Sequence, residues 1–375
     1  VKVLMLETSG WGGLSHYSHC LSEALAGLGI YITLITNEVY ELRNAEHNYD
    51  VLPVLKDGGS YHERMRQFMK TLREESPDIL HIQSGFSARK DWLLVPMFKK
   101  HCERLVVTAH NVLPHEESER KAVGMEFTLG RIYRSCDGII AHSDYTREAL
   151  QHTFSLDGST IEVIQHGNYL IFSHLSSDAG DTGNTESVAR NRHSEILFFG
   201  HLREYKGVDV LLRAFGKVRR ERNNISLVIA GKEQGGIREK YDRIIEEEGV
   251  TDSVVIKPGY VQATMIGEIF SKARLVVFPY RETDGSGVVQ LAYSFGKPVV
   301  ATSVGVLPEI VEDGVNGFVV PPEDPDALAG AINRFLELTP QEAGKMGQMS
   351  KLFAEKIYSW RIIAGHTVDF YRSLL

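Results

Sequence analysis

The stretch RLVVFPYRETDGSGVVQLAYSFGKPVVAT spans residues 274–302. Its opening apolar run reads as a buried strand. Val288, Leu291, Ala292 and Phe295 then recur at i, i+3, i+4 and i+7, the spacing of one helix face. Gly296 and Pro298 stop that helix, and a second apolar strand follows at once. A strand, a helix and a strand in so few residues call for a parallel sheet covered by helices on both faces. The loop between strand and helix carries Glu282, Asp284, Ser286 and Gly287. Two readings of it are open. Ser286 and its neighbours are a helix cap, or they are a seat for a phosphorylated sugar on the free N–H groups of the helix start.

The same alternation extends in both directions. VKVLMLE (1–7), IYITLIT (30–36), DILHIQ (78–83), RLVVTAH (104–110), GIIAHS (138–143) and IEVIQHG (161–167) read as strands of a first sheet. ILFFG (196–200), SLVIAG (226–231), VVIKPGY (254–260), RLVVFPY, KPVVAT and GFVV (317–320) read as strands of a second. Between them residues 173–195 are polar and rich in Ser, Gly, Asn and Asp, the composition of a linker or exposed loop. At roughly 150 residues per domain, 375 residues fit about two domains. The net charge of -8 argues against nucleic acid as a partner. Cys20, Cys102 and Cys136 lack the spacing of a metal site or a disulfide framework and read as reduced thiols. No run of 18 apolar residues is present, and the first residues read as a strand, not as a signal peptide.

In open parallel sheets ligands bind beyond the carboxyl ends of the strands, which singles out four loops. ETSGWGG after the first strand offers Gly10, Gly12 and Gly13 before a helix start; it is a turn for packing or an anion site. It lacks the third glycine of the dinucleotide fingerprint, where Ser15 stands. FFGHLREYKG places Arg203 and Lys206 three residues apart, a pair suited to a diphosphate or simply a solvated loop. TAHNVLPHEE puts His110 at a strand end, with His115 and Glu116 following. Glu282 in the fourth loop would repel a phosphate but could accept hydrogen bonds from sugar hydroxyls. Asp324-Pro-Asp326 resembles a metal-binding pair but precedes a helix and reads as its N-cap. Ser143 lacks the surroundings of a nucleophile elbow.

Taken in order, these segments resemble the family-four retaining glycosyltransferases of the GT-B fold across nearly the whole chain. The resemblance implies two Rossmann-like domains facing across a cleft, at residues 1–175 and 176–355, with a helix at 356–375 crossing back to the first. It implies transfer of a hexosyl group, with UDP-sugar the favoured donor, to a glycan, lipid-linked or small-molecule hydroxyl, as in polysaccharide biosynthesis. Arg203 and Lys206 match the diphosphate-binding pair, and Gly12 and Gly13 the glycine loop beside it. Ser286, Gly287 and Val288 match the helix start at the distal phosphate. Val261 stands where the base is contacted, and His110 matches a histidine near the transferred sugar. Catalytic roles are expected of His110 and Glu282, with no metal and no cofactor. A cytoplasmic location, free or peripheral at the membrane, is expected.

One departure is visible. The family motif has two glutamates separated by seven residues. Counted from Pro279 those positions hold Thr283 and Leu291; counted from Glu282 the second holds Gln290. Ribose recognition must then differ, with Gln290 the nearest substitute. A nucleotide-sugar epimerase of the same fold and an inactive nucleotide-binding subunit are the competing readings.

Overall fold

A computed structural model describes residues 1–113, 119–173, 194–285 and 287–375. Ser286, His115, Glu116 and most of the linker stretch lie outside the described residues. The chain divides into two compact units, Val1–Gly167 with Tyr358–Leu375, and Asn168–Ile357.

The first unit is built on seven parallel strands: β1 Lys2–Leu6, β2 Tyr31–Asn37, β3 Asp50–Leu55, β4 Ile79–Ile82, β5 Arg104–Thr108, β6 Gly138–Ala141 and β7 Ile161–Val163. Their order is β3-β2-β1-β4-β5-β6-β7. The order reverses between β1 and β4, so the loops after those strands diverge and leave a crevice at their carboxyl ends. Central strands are apolar on both faces; Val3 to Leu6 are buried throughout. β3 lies at the sheet edge, is largely half-buried and contains Pro53, which an edge tolerates because one side needs no ladder bond.

The second unit has six parallel strands: β8 Ser194–Phe199, β9 Ile225–Gly231, β10 Val254–Pro258, β11 Ala273–Phe278, β12 Val299–Thr302 and β13 Gly317–Val320, ordered β10-β9-β8-β11-β12-β13. The same reversal falls between β8 and β11. The opening stretch therefore supplies β11, the helix Gly287–Ser294 and β12 at the centre of this sheet. That helix is more deeply buried than its apolar spacing implies. Val289 to Ser294 are all buried, whereas Val288 and Phe295 are half-buried. Asp324 caps the helix Pro325–Glu337 by accepting from the N–H groups of Asp326 and Ala327. Ser143 likewise caps Asp144–Phe154.

The units change at 167/168 and 357/358, against the expected 175/176 and 355/356. Asn168 donates to the Ala354 carbonyl at 2.8 Å, and the Tyr169 N–H donates to Ser294 Oγ at 2.8 Å. These bonds tie the chain to the second unit as soon as it leaves Gly167. The closing helix, Trp360–Leu374, belongs to the first unit, where the Tyr371 hydroxyl reaches His81 at 2.6 Å.

Candidate functional site

In the second unit, Arg203 and Lys206 follow β8, and the loop after β11 lies against them. Gly207 has φ +65°, and a Cβ there would meet the Pro279 carbonyl oxygen at 1.9 Å. Gly305 repeats this against the Thr283 carbonyl, at 1.7 Å. Only glycine permits these approaches. A Cβ at Gly200 would lie 4.0 Å from the Val288 side chain, which puts the end of β8 beside the first turn of Gly287–Ser294. The Arg281 N–H donates to the Tyr205 carbonyl at 2.8 Å. The Arg281 guanidinium grips Asp209 through two bonds of 3.0 Å, and Lys240 reaches Asp209 at 2.9 Å. Burial alone would raise the Asp209 carboxyl; bonds from Arg281 and Lys240 reverse this and leave it below the ordinary value. This clamp fixes the loop after β11 to the first turn of the helix Val208–Glu221.

Lys206 is the unusual group here. Its ammonium sits 3.6 Å from the centre of the Tyr280 ring and 4.9 Å from that of Tyr205. Burial, and then the charge of Arg203, pull its pKa down to about 7. Arg203 Nε is buried with no hydrogen-bond partner among the described residues. Two cations are thus held close together in a partly dry pocket, an arrangement that an anion would relieve. Glu282 is exposed and Asp284 half-buried in the same loop. Tyr205 is raised by burial first, and the carboxylates of Glu282 and Asp284 add to it.

Gly287 and Val288 open the helix, as expected, while Ser286 lies outside the described residues. Gln290 is only 1 % exposed, and its Oε1 has no hydrogen-bond partner among the described residues. The helix is enclosed on nearly all sides, so Gln290 is an interior residue here and not a surface acceptor. Leu291 is buried too. Val261 is half-buried in the loop after β10, two strands from β8, roughly 9–10 Å across the sheet.

In the first unit, Gly12 and Gly13 begin the helix Gly12–Gly27. The preceding loop is wrapped around the buried Glu7 carboxylate, which accepts from the N–H groups of Ser9 and Gly10 at 2.7 and 2.9 Å. The Gly12 N–H donates to Glu41 Oε2 at 3.3 Å, and His16 Nε2 lies 2.8 Å from the same oxygen. The protein's own carboxylate thus stands at the helix start where an anion was expected.

His110 belongs to a ladder. His81 lies in β4, and His110, His142 and His166 follow β5, β6 and β7. Ring centres of His110 and His142 are 5.1 Å apart, and those of His142 and His166 5.2 Å, close to the strand spacing. Tyr17 stands edge-on to His110 and His166. Burial lowers the pKa of His142 to about 4 and of His81 and His166 to about 3, and it lowers His110 well below the ordinary value. All four rings are neutral at pH 7, and this fixes their protons. The Ile164 carbonyl, 2.9 Å from His142 Nδ1, can only accept, so Nδ1 carries the proton. His142 Nε2 then accepts from His110 Nδ1 at 3.3 Å. His110 Nε2 must then accept; the amide atom 2.9 Å away is placed as Gln83 Oε1, so the hydrogen-bond pattern assigns that amide the opposite orientation, NH2 towards the ring. In that orientation the Gln83 carbonyl takes the place of the amide nitrogen 3.1 Å from His81 Nε2, and the Tyr371 hydroxyl donates to His81 Nδ1. Both ring nitrogens of His110 are engaged; contact with a sugar hydroxyl would require one of these bonds to break.

Reading the sequence one strand at a time missed this ladder, the Arg281–Asp209 clamp and Glu41. The ladder had a signal, since histidines at or just beyond successive parallel strands become lateral neighbours. Asp209 and Glu41 had none, being distant in sequence from their partners.

A family profile described as Glycosyltransferase Family 4 matches residues 11–168, and one described as Glycosyl transferases group 1 matches residues 193–338. The chain belongs to the family-four glycosyltransferases. It is 29% identical over 383 residues to an uncharacterized glycosyltransferase of Methanocaldococcus jannaschii, covering 96% of this chain and 94% of that protein. It is 27% identical over 323 residues to a D-inositol 3-phosphate glycosyltransferase of Streptomyces griseus, covering 80% of this chain and 67% of that one. Among solved structures it is similar to sucrose-phosphate synthase from Thermosynechococcus elongatus, with a TM-score of 0.76 at 19% identity over 100% of this chain and 98% of the other. It is also similar to Anabaena HepE in complex with UDP and glucose, with a TM-score of 0.74 at 19% identity over 99% of both chains. These structures share the GT-B fold of two parallel-sheet domains.

Proposed function

We propose that this glycosyltransferase uses a UDP-sugar as donor, transfers the hexosyl group with retention at the anomeric carbon, and needs no metal. The observation that carries this reading is the pair Arg203 and Lys206, desolvated beside the first turn of Gly287–Ser294. A diphosphate there would meet two cations and the positive end of the helix Gly287–Ser294, each charge-assisted bond contributing about 1.5–3 kcal/mol. UDP is favoured because a structural neighbour was solved with UDP and glucose. As the bond from the anomeric carbon to the phosphate oxygen breaks, negative charge collects on the diphosphate. Arg203 and Lys206 are already placed to receive that charge, which lowers the barrier without reorganisation. The acceptor hydroxyl attacks from the face the phosphate leaves, forms the new glycosidic bond and passes its proton to the departing phosphate oxygen. Glu282, exposed near Tyr205, would hold the sugar hydroxyls. The Gly12–Gly13 loop would take part only after Glu41 withdraws.

Peripheral attachment to an anionic membrane has its own support. His62, Arg66, Lys70 and Arg73, with Glu74 among them, line the exposed face of the helix Tyr61–Glu75, and Leu93 beside them is 60% exposed. Among the described residues no helix is long and apolar enough to cross a membrane.

The test is a panel of UDP-, GDP- and ADP-sugars with glycan and small-molecule acceptors, read by nucleotide release and by the anomeric coupling of the product. UDP release with a retained anomer is expected. A folded protein that releases no nucleotide from any donor, or an inverted product, would count against this reading.

A further inference from the structure

The first unit holds a hollow of about 430 Å³ that opens at the carboxyl ends of β1, β4 and β5. This is the size of a small-ligand site. Its exposed mouth carries Gly85 and Asn111, with the half-buried Ser84 beside them; its depth is walled by Phe98, Val107 and Tyr133, all buried core residues. Met125 and Leu129, from the helix Glu119–Ser135, form one side. Protein interiors are close-packed, and an apolar void of this size forfeits contacts along its whole lining. The roof is a built feature. Asp91 accepts from the N–H groups of Phe86 and Ser87 at 2.8 and 2.9 Å and from the Tyr61 hydroxyl at 3.0 Å. A side chain at Gly85 would meet Asp91 Oδ2 at 2.6 Å. Part of the polar lining is already committed: His110 and Gln83 bond to each other, and Asp91 holds the roof. Among the described lining residues there is no lysine or arginine to match a phosphate.

We propose that this hollow is an acceptor subsite for an apolar chain, and that the accepted molecule is a neutral hydroxylated head group bearing an alkyl tail. This rests on the glycosyltransferase reading above and sets this chain apart from relatives named for D-inositol 3-phosphate. The tail fills the space between the sheet and Glu119–Ser135, and the head group stays at the mouth, beside the strand ends.

The test titrates n-butyl, n-hexyl and n-octyl β-D-glucopyranoside into the full chain by calorimetry, below their micelle concentrations, with UDP titrated separately. Affinity should rise about fourfold per methylene across the series, the increment for burying a CH2 group. Met125→Trp and Leu129→Trp, each filling the hollow, should abolish the increment while leaving the UDP affinity and the thermal midpoint unchanged. D-inositol 3-phosphate should not displace the octyl glucoside. Affinity independent of chain length, increments that survive both tryptophan variants, or displacement by D-inositol 3-phosphate would overturn the proposal. Chain-length dependence without UDP binding would support the hollow and sink the donor assignment instead.

Discussion

Lowering the pH from 7 to 5 should weaken the first unit through its buried histidines. His81 is fully buried and His142 nearly so, with pKa values of about 3 and about 4 against an ordinary 6.5. The unfolded chain takes up protons at these residues as the pH falls through 6.5, while the folded chain does not. Their neutrality therefore costs nothing above pH 6.5, and stability is lost as the pH falls towards the folded values. Between pH 7 and 5 the linkage amounts to about 2 kcal/mol for each ring, or about 4 kcal/mol for the two. His110 and His166 act in the same direction. That is a large share of a typical stability of about 5–15 kcal/mol. All three tryptophans, Trp11, Trp92 and Trp360, lie in the first unit, so their fluorescence reports on it alone. Urea unfolding followed by that signal should show a midpoint on the order of 1.5 M lower at pH 5 than at pH 7. His142→Gln, which cannot titrate, should shrink the pH dependence by about 2 kcal/mol whatever it does to stability at pH 7. Equal midpoints at the two pH values, or an undiminished dependence in the variant, would refute the neutral ladder.

Lys206, near pH 7 in the free protein, must be protonated to hold a diphosphate, so binding takes up a proton and weakens as the pH rises. UDP affinity measured by calorimetry should fall about eightfold between pH 7.5 and 8.5, and Lys206→Arg should flatten that dependence. Asp209→Ala leaves Arg281 without its bidentate partner; a loss of about 3 kcal/mol in unfolding free energy is expected, with weaker UDP binding as the two loops part. Glu41→Ala removes the carboxylate at the start of Gly12–Gly27. Stability should drop by about 0.5–1 kcal/mol, while UDP-sugar binding strengthens if the glycine loop takes the diphosphate; thermal unfolding and calorimetry read the two effects separately.

The strands at the centres of both sheets were legible because two-sided burial writes an unbroken apolar run, as in Val3–Leu6 and Leu275–Phe278. β3 was not, because an edge strand interrupted by Pro53 and half open to solvent carries no such run. The placement of Arg203, Lys206, Gly287 and Val288 at neighbouring strand ends was legible because the loops after β8 and β11 meet where the strand order reverses. The states of these residues were not. The depressed pKa of Lys206 depends on the ring of Tyr280, seventy-four positions away along the chain. The interior placement of Gln290 depends on everything packed around its helix. Tertiary contacts decide such properties, and local pattern holds no record of them.

The central claim is that a nucleotide diphosphate sits on Arg203 and Lys206. Calorimetric titration of UDP into the parent and into Arg203→Ala tests it most directly. The account predicts binding by the parent and an affinity lower by roughly 10- to 150-fold in the variant, the loss of one charge-assisted contact. Equal affinities in two folded proteins would contradict it.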